Sequence, residues 1–392
     1  MKSNLKIRIT AALCALILPF LISCRDKKDE PCTITFSWWG NDDRAKYTLA
    51  GIEEFSRLYP HITVTPEYGP WSGYEDAFEK KFSEGTNTDV MQINADWLYK
   101  YSKDGNGFYD LNKLDDYIDY YNFTLSDLES GSIKGKLNAI PIAFNTIIPI
   151  YDESILKANG ISIPNSWDDL FAAGKKLKAK NLYLLGINAK HLFLLSIAWF
   201  EQTHSKKVFS ADQTFAISDS EYAELVDFAR RMIREHVIHP DVNSFTASAF
   251  KSKKLAGAIA WCNEASTLSA MIESIGGQAV LGNFITAADA KESGWYVKPV
   301  SMYAIKKDCP HPKEAAIFIN FLLNNPEMAL LQKCDKGVPA SNTSLTTLME
   351  HKQLQTLQYN SLMKIRFNKS SIQSMLPVME NKAVIAQFTL SL

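Results

Sequence analysis

Along residues 33–39 apolar Ile34, Phe36 and Trp38 alternate with Thr33, Thr35 and Ser37, the period-two pattern of a strand, and Gly40-Asn41-Asp42 ends it. Trp39 falls in the polar phase of that strand. Ala45, Leu49, Ile52, Phe55 and Tyr59 then recur at helical spacing until Pro60 closes the segment. Residues 62–65 read as a second strand, 74–82 as an amphipathic helix, and 89–93 as a third strand ending at Asn94-Ala95-Asp96. Strands alternating with helices predict an α/β chain.

Farther on, residues 139–144 and 147–151 are two apolar runs split at Asn145, which reads as a crossover between lobes. Helices are predicted over 152–159, stopped by Gly160, and from Ser166, whose Ser-Trp-Asp-Asp start resembles a capping box, to 178. Helical faces recur over 220–236 and 266–275, strands over 256–261 and 300–305, and Pro312 opens a helix reaching residue 323. Beyond Gly337-Val338-Pro339 the pattern is helical and weak.

The first residues stand apart. Lys2, Lys6 and Arg8 precede an apolar run over 9–22, shorter than the ~20 residues of a membrane-spanning helix, so it reads as a cleaved signal peptide, residues 1–23. Leu21-Ile22-Ser23-Cys24 resembles the bacterial lipobox, which implies an acylated Cys24 followed by a charged tether over 24–32. The protein is therefore expected in the bacterial cell envelope, lipid-anchored to a membrane at its periplasmic or extracellular face.

The formal net charge is -1, and loss of the basic, acid-free leader makes the remainder more acidic. That argues against a nucleic-acid partner. Without Cys14 and Cys24, Cys32, Cys262, Cys309 and Cys334 remain, as two disulfides in any of three pairings or as free thiols. The chain has no GxSxG, GxxxxGK[ST] or HExxH motif. His236 and His239 at a helix end are a minor metal candidate, and Asp42, Asp96 and Glu264 at predicted strand ends keep a paired-carboxylate hydrolase as a minor alternative. More informative are the aromatic and polar residues at strand ends, Trp39-Gly40, Asn94-Ala95-Asp96 and Trp261-Cys262-Asn263-Glu264. Ligands of open α/β sheets settle beyond the carboxyl ends of strands, and an indole face with amides and carboxylates around it suits a sugar.

Five blocks carry a family resemblance. Residues 34–40 with Arg44, then Glu54-Phe55, Tyr59-Pro60 and Ile62-Thr63-Val64, resemble the opening of the extracellular solute-binding proteins, family 1, of carbohydrate ABC importers. Residues 89–97 are similar to the family's second marker, and Ile150-Tyr151-Asp152 with Gly160, Pro164, Trp167 and Leu170 to its crossover block. Ala304-Ile305, Ala315-Ala316, Phe321-Leu322 and Pro326-Glu327 resemble its late helix block, and Gly337-Val338-Pro339 its return crossing.

The resemblance implies a two-lobed periplasmic-binding-protein fold, type II-like, with a hinge between the lobes. Residues 33–143 with 303–338 would form the first lobe and 144–302 with 339–392 the second, joined near Ala143-Phe144, Pro299 to Met302 and Val338-Pro339. It implies a monomer that is not an enzyme, needs no cofactor or metal, and hands a mono- or oligosaccharide to ABC permease and ATPase subunits. The ligand-binding candidates are Trp38, Trp39, Arg44, Tyr74, Asp96, Asn145, Trp261, Asn263 and Trp295, with Asp96 a possible partner of Arg44. Alternatives are a sensor or adhesin lipoprotein, or a binder of a glycerol-phosphate-type ligand charged by Arg44 and Lys298.

Overall fold

A computed structural model describes residues 30–210, 212–242, 250, 252, 254–353, 356–367 and 372–392. The signal peptide, Cys24 and the tether up to residue 29 lie outside the described residues. Among the described residues no helix is long and apolar enough to cross a membrane.

The strands in chain order are β1 (Cys32–Trp39), β2 (Ile62–Gly69), β3 (Val90–Ile93), β4 (Ser132–Ile133), β5 (Lys136–Leu137), β6 (Ala139–Asn145), β7 (Ile147–Asp152), β8 (Gly257–Trp261), β9 (Ala279–Leu281), β10 (Tyr296–Ile305), β11 (Val338–Pro339) and β12 (Gln373–Ser374). They form the sheets of two α/β lobes. The first lobe's sheet has the order β11-β6-β10-β3-β1-β2, and the second is built on β8-β7-β9. β1 runs parallel to β2 and β3, whereas β10 runs antiparallel to β3 and β6. The carboxyl ends of β1, β2, β3 and β6 therefore share one edge with the amino end of β10.

Both runs flanking the predicted crossover are buried along their whole length, as strands covered on both faces must be. Thr146 alone separates them. Its hydroxyl donates to the Tyr296 carbonyl at 2.7 Å and its own carbonyl accepts from the Cys262 N–H at 2.9 Å. Trp261 pairs with Ile147, so β8 also ends at the crossing. β10 makes the second crossing. Tyr296 and Val297 pair with β12, while Lys298 to Ala304 pair with β6, and the register slips between Pro299 and Met302, where proline has no N–H for the ladder.

Two features differ from the sequence reading. β11 pairs with β6 inside the first lobe, and the helix Asn342–Glu350 stays there, Ser344 Oγ donating to the Leu323 carbonyl at 2.6 Å and Thr343 Oγ1 to Asn122 Oδ1 at 2.6 Å. The return to the second lobe thus falls beyond Glu350 rather than at 339. The helix Ala189–His204 was not predicted. Eleven of its residues are buried, on every side of the helix, so no polar stripe marks its period. Of the two states the sequence leaves open for Cys32, Cys262, Cys309 and Cys334, all four are free thiols.

Candidate functional site

The shared strand edge carries an aromatic cluster. The single-residue step from Trp38 to Trp39 turns the two indoles to opposite faces of β1. Trp38 is fully buried, stacked between Phe36 at 4.9 Å and Tyr68 at 4.8 Å. Trp39 is half-buried, with Trp71 at 5.0 Å, Tyr74 at 5.5 Å and Trp97 at 5.8 Å between ring centroids. Trp97, at the start of the helix Ala95–Tyr101, is the buried base of the group and lies within 8° of parallel to Tyr74. Trp71 is 46% exposed.

Backbone detail holds the cluster in place. A Cβ on Gly40 would meet the Arg44 side chain at 2.3 Å, so only glycine lets the helix Asp42–Leu58 start this close to β1. Gly73 has φ +80°, and its left-handed backbone turns the chain so that the Tyr74 N–H bonds the Trp71 carbonyl at 3.1 Å. Trp71 and Tyr74 are thereby presented together at the mouth.

Asn145 and Asn263 meet at the crossing. Asn145 Nδ2 donates to Asn263 Oδ1 at 2.8 Å, and the Asn263 N–H donates to Asn145 Oδ1 at 3.3 Å. Beside them Trp261 carries two ammonium groups over its ring, Lys190 Nζ at 5.2 Å and Lys298 Nζ at 5.0 Å from the centroid. Both lysines pair with Glu380, Lys190 at 2.9 Å to Oε1 and Lys298 to Oε2. Burial pushes the Glu380 carboxyl up, but Lys298 and Lys190 outweigh it and hold the group below the usual carboxylate range. Asp96 is raised, first by burial and then by the Glu380 charge, with Lys298 opposing. Asp96, Tyr99, Glu129, Lys298, Met375 and Glu380 are among the residues lining a cavity of about 110 Å3 here.

His191 meets the edge of Trp261 at 5.2 Å and faces the Ile259 carbonyl with Nδ1 at 3.2 Å. Burial pushes its pKa down to about 4, so the ring is neutral at pH 7, and the carbonyl, which only accepts, fixes the proton on Nδ1. A second, open cavity of about 230 Å3 lies on the flank of the first lobe, against Tyr68, Tyr74, Ser37, Thr88 and Lys81. Its lining comes from the first lobe alone.

The structure therefore sets Trp39 and Tyr74 in the ring cluster, Asn145, Asn263 and Trp261 at the crossing, and Asp96 on the wall of the smaller cavity, and places three other candidates elsewhere. Trp38 is packed into the core, as the phase it shares with Ile34 and Phe36 dictates. Trp295 is buried, its Nε1 donating to the Ile285 carbonyl at 2.9 Å and its ring 5.0 Å from Phe284, so it anchors a loop. Arg44 pairs with Asp335 rather than Asp96: Nε reaches Asp335 Oδ2 at 2.8 Å, and Tyr47 donates to the same oxygen at 2.9 Å. The minor metal candidates are also engaged elsewhere. His236 stacks on Tyr183 at 4.3 Å, and His239 Nδ1 accepts from the Asp241 N–H at 3.1 Å.

Sequence reasoning missed Trp71, Lys190 and Glu380. Trp71 had a signal, a large aromatic inside Gly69-Pro70-Trp71-Ser72-Gly73, where turn residues leave it little to pack against. Lys190 begins the helix whose period was hidden. Glu380 comes from the weakly patterned tail.

The model of the bacterial extracellular solute-binding protein family matches residues 50–357. A periplasmic solute binding protein from Pectobacterium atrosepticum is 31% identical, with 92% of each chain covered and a TM-score of 0.81. A periplasmic oligogalacturonide binding protein from Yersinia enterocolitica is 28% identical over 91% of this chain and 92% of that one, at a TM-score of 0.81. A de novo designed cysteine esterase is 28% identical over 92% of this chain and 91% of that one, at 0.85. The two natural neighbours are binding proteins, with two lobes like those described above. In this chain burial pushes the Cys262 and Cys309 thiols each up to about 12 and Cys334 up to about 11, so these three are protonated at pH 7.

Proposed function

The chain belongs to the bacterial extracellular solute-binding protein family, and from that premise we propose that it captures a carbohydrate between its lobes and delivers it to an ABC permease, held at the membrane by a lipid on Cys24. It works by binding, as a monomer, and leaves the sugar unchanged. The observation that carries this reading is the arrangement along the crossing edge. Trp39, Trp71 and Tyr74 offer ring faces from the first lobe, while Trp261 and Asn263 come from the second. The apolar face of a pyranose stacks on such rings, and its hydroxyls reach amides and carboxylates. Site residues on both sides of the crossing let ligand binding draw the lobes together, and a closed form is what a transporter would recognise.

A narrower version, an acidic saccharide, is favoured by Lys190 and Lys298. Two ammonium groups over one indole, sharing a single carboxylate, form a place where a sugar carboxylate can compete with or join Glu380. The Yersinia enterocolitica protein has also been solved in complex with saturated digalacturonic acid, and is 27% identical in that state. Arg44, committed to Asp335, adds no charge for a phosphate.

A thermal-shift screen of the form beginning at Arg25, against neutral and acidic oligosaccharides and sugar phosphates, tests both levels. A ligand at about 100 times its dissociation constant adds about 2.7 kcal/mol. A shift with one saccharide class supports carbohydrate capture; no shift with any sugar overturns it. The acidic version expects digalacturonate to bind and Lys298→Met to weaken it more than tenfold, about 1.4 kcal/mol. Equal affinity for the neutral disaccharide would rule that version out.

A further inference from the structure

The pole of the first lobe opposite the cleft holds a second convergence of side chains. β10 runs antiparallel to β3, so its carboxyl end and the loop beyond it come to the amino ends of β1 and β3, where the Lys306 N–H bonds the Asp89 carbonyl at 2.8 Å. Cys32 opens β1 there, its N–H on the His61 carbonyl at 2.9 Å. His311 stands at the N-cap of the helix Pro312–Asn324 without making a side-chain capping bond, and Glu314 follows three residues later on the same face. The Cys32 Sγ, a ring nitrogen of His311 and a carboxylate oxygen of Glu314 lie within 4.8 Å of one another. All three residues are half-buried, and among the described residues none of the three side chains has a hydrogen-bond or ion-pair partner outside the trio.

We propose that Cys32, His311 and Glu314 bind a zinc-class divalent cation. Thiolate, imidazole and carboxylate together suit zinc, whereas calcium and magnesium take oxygen ligands. Bonds of about 2.0–2.3 Å around a tetrahedral ion place donors roughly 3.3–3.7 Å apart, so the three side chains need close by about 1 Å, a matter of side-chain torsions. Binding deprotonates the thiol, and the proton leaves to solvent. Three protein ligands leave the fourth position to water. The ion would tie the first strand, which emerges from the tether, to the helix beneath it. The site lies away from the cleft and does not depend on the sugar reading.

Cobalt and zinc titrations of the metal-free chain beginning at Arg25, which retains every described residue, test this. One equivalent of Co2+ is expected to give a thiolate-to-metal charge-transfer band with tetrahedral d–d absorption, displaced by one equivalent of Zn2+. Cys32→Ser is expected to abolish the band, and His311→Ala and Glu314→Gln each to weaken binding at least tenfold, while Cys309→Ser and Cys334→Ser leave it intact. In the unaltered chain, Zn2+ is expected to protect Cys32 from alkylation as read by mass spectrometry, which needs no variant to fold. No band, a band that survives Cys32→Ser, or alkylation of Cys32 at the same rate with and without Zn2+ would each overturn the proposal.

Discussion

Trp38 and Trp39 are adjacent, identical and opposite in environment, so their replacement separates packing from binding. Trp38→Ala removes a fully buried indole from between Phe36 and Tyr68 and is expected to cost about 3–5 kcal/mol of stability, read from the midpoint of chemical unfolding. Trp39→Ala is expected to leave that midpoint nearer the parent's and to weaken sugar binding more than tenfold by calorimetry. His191 sets a pH dependence. Its pKa is about 4 in the folded protein against an ordinary 6.5, so between those values the unfolded chain binds a proton that the folded one refuses. Its contribution to stability is therefore present above about pH 6.5 and falls away as the pH drops towards 4, by at most roughly 3 kcal/mol. His191→Asn, which keeps a donor for the Ile259 carbonyl, is expected to flatten this part of the unfolding-midpoint profile between pH 7 and 4.5.

At the scale of elements, the last turn of the helix Ala189–His204 is a buried polar hub. Gln202 Nε2 donates to the carbonyls of Ile285 and Ser293 at 2.9 and 2.7 Å, and its Oε1 accepts from Trp167 Nε1 and the Ala287 N–H, both at 2.8 Å. Glu201 beside it accepts from the Tyr296 hydroxyl, the Val208 N–H and Lys207. One helix end thus fixes the loop before β10 and the amino end of β10, from which Lys298 reaches Glu380 and the smaller cavity. Gln202→Leu leaves the Ser293 carbonyl, the Ala287 N–H and the Trp167 Nε1–H without their partner, while the Ile285 carbonyl keeps Trp295 Nε1, and is expected to destabilise by roughly 2–4 kcal/mol, the desolvation cost of stranded buried polar groups, in urea titration. Arg44 acts at the same scale. By binding Asp335 and, through Nη1, the Trp39 carbonyl at 3.4 Å, it ties the end of β1 to the segment leading into β11.

For the whole molecule the decisive feature is that the candidate site borders the covalent crossings. Thr146 is a one-residue link, and β10 passes from one lobe's pairing to the other's at Lys298. The hinge closure proposed above would turn about these crossings and move Trp39 and Trp71 relative to Trp261. Saturating saccharide is expected to lower the radius of gyration in solution scattering. A bound ligand with no change in that radius would remove hinge closure from the proposed function.

Period-two and period-3.6 patterns were enough to read the α/β class, most strands of the first lobe and the aromatic and polar strand ends, because half-buried elements write their facing into the chain. The expected family membership and the two-lobed fold hold as well, since the motifs lie in order along almost the whole length. The helix Ala189–His204, buried on every side, left no such period and, with Lys190 at its start, went unread. Long-range pairing was equally silent. That Arg44 would find Asp335, that Glu380 would join Lys190 and Lys298, and that Trp295 would turn inward depend on distances between segments far apart in the chain, which only the packed tertiary structure decides. The sequence by itself determined which residues had to be buried and where strands ended; the tertiary structure decided which of the remaining polar and aromatic groups would face one another, because electrostatic and stacking contacts act over a few ångströms of space and take no account of position along the chain.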